Sequence, residues 1–328
     1  VKEHTLKGLE ISHARYDKAL NQMLEAIELA GSDGICIPFL GPSRVGKSDT
    51  LLAVHKRLSK DRAGPGYMIP TPDFLLGEVS PKPNDTELYA SVIRTMGDVG
   101  ANPKLPLLRD RMYKLLEQRD IRIVALDECS HCAEPGANLT RRAAADHFKS
   151  IIDRSGVVLI LMGLPKFQRL IDENEQFAAR SMATIELHPY RWTNASDRNE
   201  FATVIYTIFD YLNDLDFSLE FDWNDMTRRL FAATGGRVGM VIELLEIAIR
   251  KAAGSKVLAL SDIGTAARVR LQGLSRLAPI FDPDPPQDDV LLRSYAKVMR
   301  DAGLQLPNPN SSLELDAFRH ADEEALTE

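Results

Sequence analysis

Gly41, Gly46, Lys47 and Ser48 stand in the spacing G-x-x-x-x-G-K-S within GPSRVGKSDT, residues 41–50. Each residue type has a task in holding a polyphosphate. The glycines let backbone N–H groups turn inward around phosphate oxygens, and the N-terminal end of a following helix adds positive potential. Lys47 is placed to reach the β- and γ-phosphates, and Ser48 to ligate Mg2+. The cradle runs on through Pro42, Ser43, Arg44 and Val45 and closes at Asp49. Such a pattern arises by chance in about one chain in a hundred of this length, so context decides between a nucleotide site and a structural turn. Here the apolar run ICIPFL precedes the glycines and SDTLLAVHKRLSK, with helical spacing, follows. Strand, loop and helix in that order make a nucleotide site.

A phosphate loop needs an acid at the end of a neighbouring strand. IRIVALDE supplies two: Asp127 to hold Mg2+ through water, and Glu128 to orient and polarise the attacking water. An exposed helix cap is the plainer alternative for the pair. Cys129, His131, Cys132 and His147 invite a zinc reading, but no second C-x-x-C accompanies the first, and the cysteines read as structural. Arg180 precedes the last strand of the expected sheet and Arg237 opens a later helix. An oligomeric ATPase needs cations of this kind at the γ-phosphate, one from a neighbouring subunit and one from its own lid. Each could equally be a surface ion pair.

The elements that position these residues follow from periodicity. Residues 12–30 have helical apolar spacing, closed by Gly31. Strands are expected at ICIPFL, GYMIPTP, IRIVALDE, VVLILMGLP and ATIELHPY, with helices between them at 48–60, 85–99, 104–119, 137–155 and 165–179. Pro38 is an awkward residue for a central strand. Strands alternating with helices imply a mostly parallel α/β sheet. Beyond Tyr190 strand signals stop, and helices are expected at 196–214, 223–234, 237–253 and 261–272. The tail opens on DPDPPQDD, carries one amphipathic helix near 289–302, and closes on an acidic end that reads as mobile. The domains expected are a helical segment over 1–34, an ATPase core over 35–190, a helical lid over 191–276 and a docking tail over 277–328.

The order of these features resembles an AAA+ ATPase: P-loop NTPase core with a parallel five-stranded sheet sandwiched by helices, then a small helical lid domain and a C-terminal tail. The D-E-x-x-H form of DECSHC, followed by GLPKFQRLIDENEQFAARS with Gly163, Pro165, Gln176 and Arg180, is similar to the TniB/TnsC family of regulators of Tn7-like and related transposons. The resemblance covers residues 10–250 and implies ATP and Mg2+ as cofactors, and rings or filaments of the chain on double-stranded DNA of any sequence. It also implies partners: a transposase and a TniQ-type target selector, in some systems joined to a CRISPR effector. It makes Arg180 the finger acting on the next subunit and Arg237 the lid arginine. The family pattern places a polar residue at the end of the fourth strand; here that place is Gly163, leaving His131, Ser130 or no residue to position water.

The net charge of −7 argues against nucleic acid as a whole-chain property. From Asp282 on there are 11 acidic residues against 4 Lys or Arg, so the remainder balances at 36 of each and leaves room for a local basic surface. Candidates for phosphate contact are Lys104 and Arg111, with Arg109 and Lys114, and Arg141 and Arg142, with Thr140 and Lys149. Acids interrupt the first group; Arg141 and Arg142 read as uncompensated. Three cysteines, no signal pattern and no run of 18 apolar residues indicate a cytoplasmic protein without a membrane span. The alternative function is an AAA+ ATPase acting on a protein partner, as a helicase loader or secretion-type ATPase, without DNA-templated assembly.

Overall fold

The computed structural model describes Leu6 and residues 11–31, 33–59, 61–62, 71–97, 104–134, 136, 138–271 and 280–325. Helix α1 (Ala14–Ala30) buries Tyr16, Ala19, Leu20 and Met23. The run ICIPFL becomes β1 (Ile35–Leu40) and leads through the glycine loop into α2 (Lys47–Leu58). An antiparallel ribbon of β2 (Asp61–Arg62) and β3 (Thr71–Pro72) precedes β4 (Phe74–Glu78). Then come α3 (Asp85–Thr95), α4 (Leu105–Gln118), β5 (Ile123–Asp127), α5 (Arg141–Ser155) and β6 (Val158–Gly163). The short helices α6 (Gln168–Asp172) and α7 (Glu175–Ala178) lead to β7 (Ile185–Glu186).

Five strands form one sheet in the order β4-β5-β6-β1-β7, every pairing parallel. Parallel strands need helical crossovers, which cover both faces and explain why β1, β5 and β6 are almost unbroken apolar runs. On one face Cys36, Val124, Leu126, Leu159 and Leu161 pack with Tyr89, Val92, Met112, Phe148 and Ile152 from α3, α4 and α5. Alternation puts Ile37, Phe39, Ala125, Ile160 and Met162, also buried, on the other face. This order sets the C-terminal ends of β1, β5 and β6 side by side, which is where an α/β sheet places its ligands.

Pro38 lies inside β1, in register with Leu161. On the other side of β1, Cys36 donates to the Arg180 carbonyl and accepts from the Met182 N–H, and pairing with β7 resumes only at Phe39 and Leu40. The N–H that proline lacks belongs on the same side as that of Cys36, two residues on. It falls in the gap of that ladder.

Several expectations need correcting. The strand beside β5 is Phe74–Glu78; of GYMIPTP only Thr71–Pro72 belongs to a described strand, and residues 66–70 lie outside the described residues. The single helix expected over 165–179 is three pieces, a 3-10 turn (Pro165–Phe167), α6 and α7, because the Asn174 side chain caps α7 through the Phe177 N–H. ATIELHPY is a strand only at Ile185–Glu186.

By packing, the chain falls into two units: Arg15–Gly41 with Lys47–Leu187, and Pro42–Gly46 with Leu6, residues 11–14 and the chain from His188 on. The second contains α8 (Ala195–Asp214), α9 (Trp223–Thr234), α10 (Val238–Ala252), α11 (Leu260–Arg270), α12 (Asp288–Asp301) and α13 (Ser312–Ala325). Strand signals do not stop at Tyr190: β8 (Ser218–Glu220) and β9 (Val257–Ala259) pair in parallel. Both are too short for a periodic signal.

Among the described residues the tail holds two helices, not one, and the second is anchored. Glu314 of α13 is fully buried. Its carboxylate accepts from Arg191 Nε (2.8 Å) and Nη2 (2.6 Å), from Thr193 Oγ1 (2.7 Å) and from the Asn310 N–H (2.6 Å). Burial alone pushes this carboxyl up, but the bonds from Arg191, Asn310 and Thr193 together hold it below its ordinary value. Phe318 stacks on Tyr295 of α12.

Candidate nucleotide site

Two non-helical backbone conformations shape the loop between β1 and α2. Arg44 has φ 65° and Gly46 φ 109°. The first is a left-handed position that most side chains avoid, and the second is open to glycine alone in practice. The Gly41 N–H donates to the Gly163 carbonyl (3.1 Å), tying the mouth of the loop to the end of β6.

Lys47 opens α2 and donates from Nζ to the Gly41 carbonyl (2.7 Å). Its ammonium is pushed down to about 8, by burial first, with the charges of Asp127 and Glu128 opposing. The depression marks a cation held where water is scarce, the environment in which an anionic ligand gains most. Ser48 Oγ donates to Asp127 Oδ2 (3.3 Å), so the hydroxyl at the start of α2 and the carboxylate at the end of β5 share one place. A hydroxyl and a carboxylate are hard oxygen donors, and Mg2+ in such sites takes one or two protein ligands, with water and phosphate supplying the rest. The pair fits that ion.

Glu128 is exposed and sits at φ 56°, its N–H bonded to Asp127 Oδ1 (2.6 Å). A non-glycine residue in the left-handed region is a strained position of the kind found at functional sites. Beside Gly163 lies Ser130, from the 3-10 turn (Cys129–Cys132) that follows β5: a Cβ on Gly163 would meet Ser130 Oγ at 2.6 Å, and that hydroxyl accepts from the Leu164 N–H. Of the three options open at the end of β6, Ser130 is the residue found there.

Arg180, Arg237 and Arg141 are each engaged. Arg180 Nε pairs with Asp153 of α5 (2.7 Å), and Lys149 bonds Gln176 (2.7 Å) beside it. Arg237 stands at the N-cap position of α10 and its Nε donates to the Thr234 carbonyl at the end of α9 (2.8 Å); burial pushes its guanidinium down to about 10, with Asp301 opposing and Arg270 adding to the shift. Arg141 pairs with Glu173 (2.7 Å), so it is not uncompensated. Arg142 is exposed and lines a cavity of about 690 Å3 along α5, with Asp146, Lys149, Asp153 and Arg154. Lys104 is exposed at the start of α4 and Arg111 half-buried within it. Arg154 reaches Asp110 (3.7 Å), so Arg111 adjoins the C-terminal end of α5, whereas Arg142 lies at its other end. At 1.5 Å per residue the two candidate groups are roughly 18 Å apart along that helix.

The cysteine and histidine side chains near Asp127 have separate partners. The Cys129 thiol donates to the Leu126 carbonyl, His131 faces Glu134 and His147 bonds both Tyr89 and Asp85. Among the described residues no three His, Cys, Asp or Glu side chains converge to hold a metal ion. Ser130 was within reach of the sequence, as a polar residue two beyond Glu128. Asp153 was not, since it is an ordinary acid of an amphipathic helix whose partner Arg180 is distant in the chain.

Residues 7–192 match the family described as Bacterial TniB protein. The match spans more than half the chain, and the chain belongs to the TniB family. Among solved structures it resembles Cdc6p from Pyrobaculum aerophilum, with TM-score 0.56, 14% identity, and 96% of this chain and 87% of that one covered. It also resembles ORC2 from Aeropyrum pernix in its ADPNP-ADP complexes, with TM-score 0.50, 15% identity, and 95% and 78% covered. The ADP form of that protein aligns with TM-score 0.51, 14% identity, and 95% and 84% covered. At such identities the likeness is one of fold, the AAA+ α/β fold. A comparison with curated proteins gives no match. Among the described residues no helix is long and apolar enough to cross a membrane.

Proposed function

We propose that this TniB-family chain is a Mg2+-dependent ATPase that assembles on double-stranded DNA and regulates transposition. The observation that carries the reading is the meeting of Ser48 and Asp127 at 3.3 Å beside Lys47. The TniB match and the nucleotide complexes named for the Aeropyrum protein support it. In this reading the N–H groups of residues 43–48 hold the phosphates, and Lys47 moves from the Gly41 carbonyl onto them. Ser48 and, through water, Asp127 hold Mg2+, which neutralises phosphate charge when bound. Glu128 polarises the attacking water, with Ser130 supporting the end of β6. Arg180, half-exposed and resting on Asp153, reaches the nucleotide of a neighbouring copy, and Arg237 acts from the lid.

Domain roles follow the same reading: residues 35–190 as ATPase core, 191–276 as lid and 277–328 as a partner-docking tail. Assembly links a TniQ-type selector to the transposase, and hydrolysis ends it. For DNA, Arg142, Lys104 and Arg111 stand ahead of Arg141, whose charge Glu173 offsets. That ion pair favours a second reading, an AAA+ ATPase on a protein partner with no DNA template. Imaging with a non-hydrolysable ATP analogue, with and without a random-sequence duplex, separates them. Nucleotide-dependent rings or filaments promoted by DNA, weakened by salt and lost in Lys47→Ala, are expected. Discrete particles indifferent to DNA would overturn the transposition reading and leave the protein-partner one.

A further inference from the structure

The glycine loop is gripped from α10. A Cβ on Gly239, in the first turn of α10, would lie 2.7 Å from the Arg44 carbonyl oxygen and 3.1 Å from its carbon. Both contacts are with backbone, which cannot swing aside, so only glycine lets the helix approach this close. One turn further along the same helix, Glu243 Oε2 lies 3.4 Å from Arg44 Nε. The same carboxylate takes a two-pronged grip from Arg270 at the end of α11, Nε to Oε1 at 2.6 Å and Nη2 to Oε2 at 3.1 Å.

An ion pair as exposed as Arg44–Glu243 contributes little when both partners must be ordered for it. Here one partner is already fixed. The planar fork of Arg270 sets the Glu243 carboxylate in place, so Arg44 meets a prepared target. Arg44 is also the loop residue that holds a left-handed backbone, a conformation that persists only where the surroundings impose it. Two neighbours act on it here: the Gly239 contact at its carbonyl and the Glu243 carboxylate at its side chain.

We propose that Glu243 is a positioning residue of the nucleotide site, bridging Arg270 to Arg44 and so fixing the turn that aims the loop's N–H groups. The proposal rests on the reading of residues 41–48 as a phosphate cradle. Glu243 acts through Arg44 and touches no phosphate. An alternative role for Arg44, direct contact with phosphate, predicts the opposite sign: Glu243 would then compete with the nucleotide, and its loss would tighten binding.

The test is a double-mutant cycle on the full chain, read as affinity for a fluorescent ATP analogue with Mg2+. Glu243→Gln and Arg44→Ala each weaken binding about five-fold, and the double variant is no weaker than either, because one removes what the other acts through. Arg44→Lys, which keeps the charge facing Glu243, stays within about two-fold of the parent. Saturating hydrolysis falls less than affinity in each variant, a split that general destabilisation does not produce. Unchanged or tighter binding in Glu243→Gln, or losses that add in the double variant, overturns the proposal. Lys47→Ala is titrated alongside. Binding that survives it removes the phosphate-cradle reading and the proposal with it, whereas Lys47-dependent binding with an additive cycle removes the proposal alone.

Discussion

Lys47 in the glycine loop and Glu314 in the tail are both charges withdrawn from water, and their surroundings treat them in opposite ways. Around Lys47 burial prevails, and its ammonium is pushed down to about 8 despite Asp127 and Glu128. Around Glu314 the partners prevail: three donor groups hold a fully buried carboxylate below its ordinary value, and Arg191 is held above its own, chiefly by the bond to Glu314. Left-handed backbone also occurs at Arg44 in the loop and at Glu128 after β5. The comparison distinguishes a charge kept at a cost from a charge settled. The first kind is poised for a ligand that offsets the cost; the second fastens one part of the chain to another.

The comparison can be broken at either end. Glu128→Gln keeps the shape of the nucleotide site and removes the base, so hydrolysis should fall about a thousand-fold with ATP affinity retained. A steady-state assay beside a binding titration reads both; a loss confined to affinity would remove Glu128 from the chemistry. Glu314→Ala leaves Arg191 without its carboxylate and should cost about 3 kcal/mol in urea denaturation while nucleotide affinity stays unchanged. An effect on affinity instead would mean that the anchor serves the site. The smallest effect is one of pH. Because Lys47 titrates near 8 when folded, against an ordinary 10.5, the unfolded chain holds the extra proton between those values. The cost of the buried charge is fully present below pH 8 and is relieved as pH rises toward 10.5. The parent should therefore gain about 1 kcal/mol between pH 7.5 and 9.5 relative to Lys47→Met, a figure discounted for partial solvent access. Parallel pH profiles for the two proteins would show that Lys47 is not held as a costly charge.

What was legible in the sequence was what local rules control. GPSRVGKS and IRIVALDE declare themselves by residue type, and β1, β5 and β6 by unbroken apolar runs. The strand FLLGE stayed hidden because prolines and Asp73 precede it and Gly77 interrupts it, so the apolar signal in that stretch shifted to GYMIP. The helix Ser312–Ala325 stayed hidden for another reason. Its sequence is acidic with few apolar positions, and what buries it is Arg191, more than a hundred residues earlier. Separation in sequence also concealed the pairing of Arg141 with Glu173, 32 residues apart, and of Arg44 with Glu243. Periodicity reports a helix; it does not report which charge will face it.

The three cysteines give the molecule a clock. Cys36, Cys129 and Cys132 are fully buried and all belong to the unit that holds the sheet, and Cys129 directly follows Glu128. Burial pushes the Cys36 and Cys132 thiols up to about 12, so an alkylating reagent meets almost no thiolate until that unit opens. The rate of modification then counts openings of the sheet unit alone, since the chain from His188 on contains no thiol. A nucleotide held by the closed form slows that count in proportion to its occupancy, and the unaltered protein reports its own ligand without an added label.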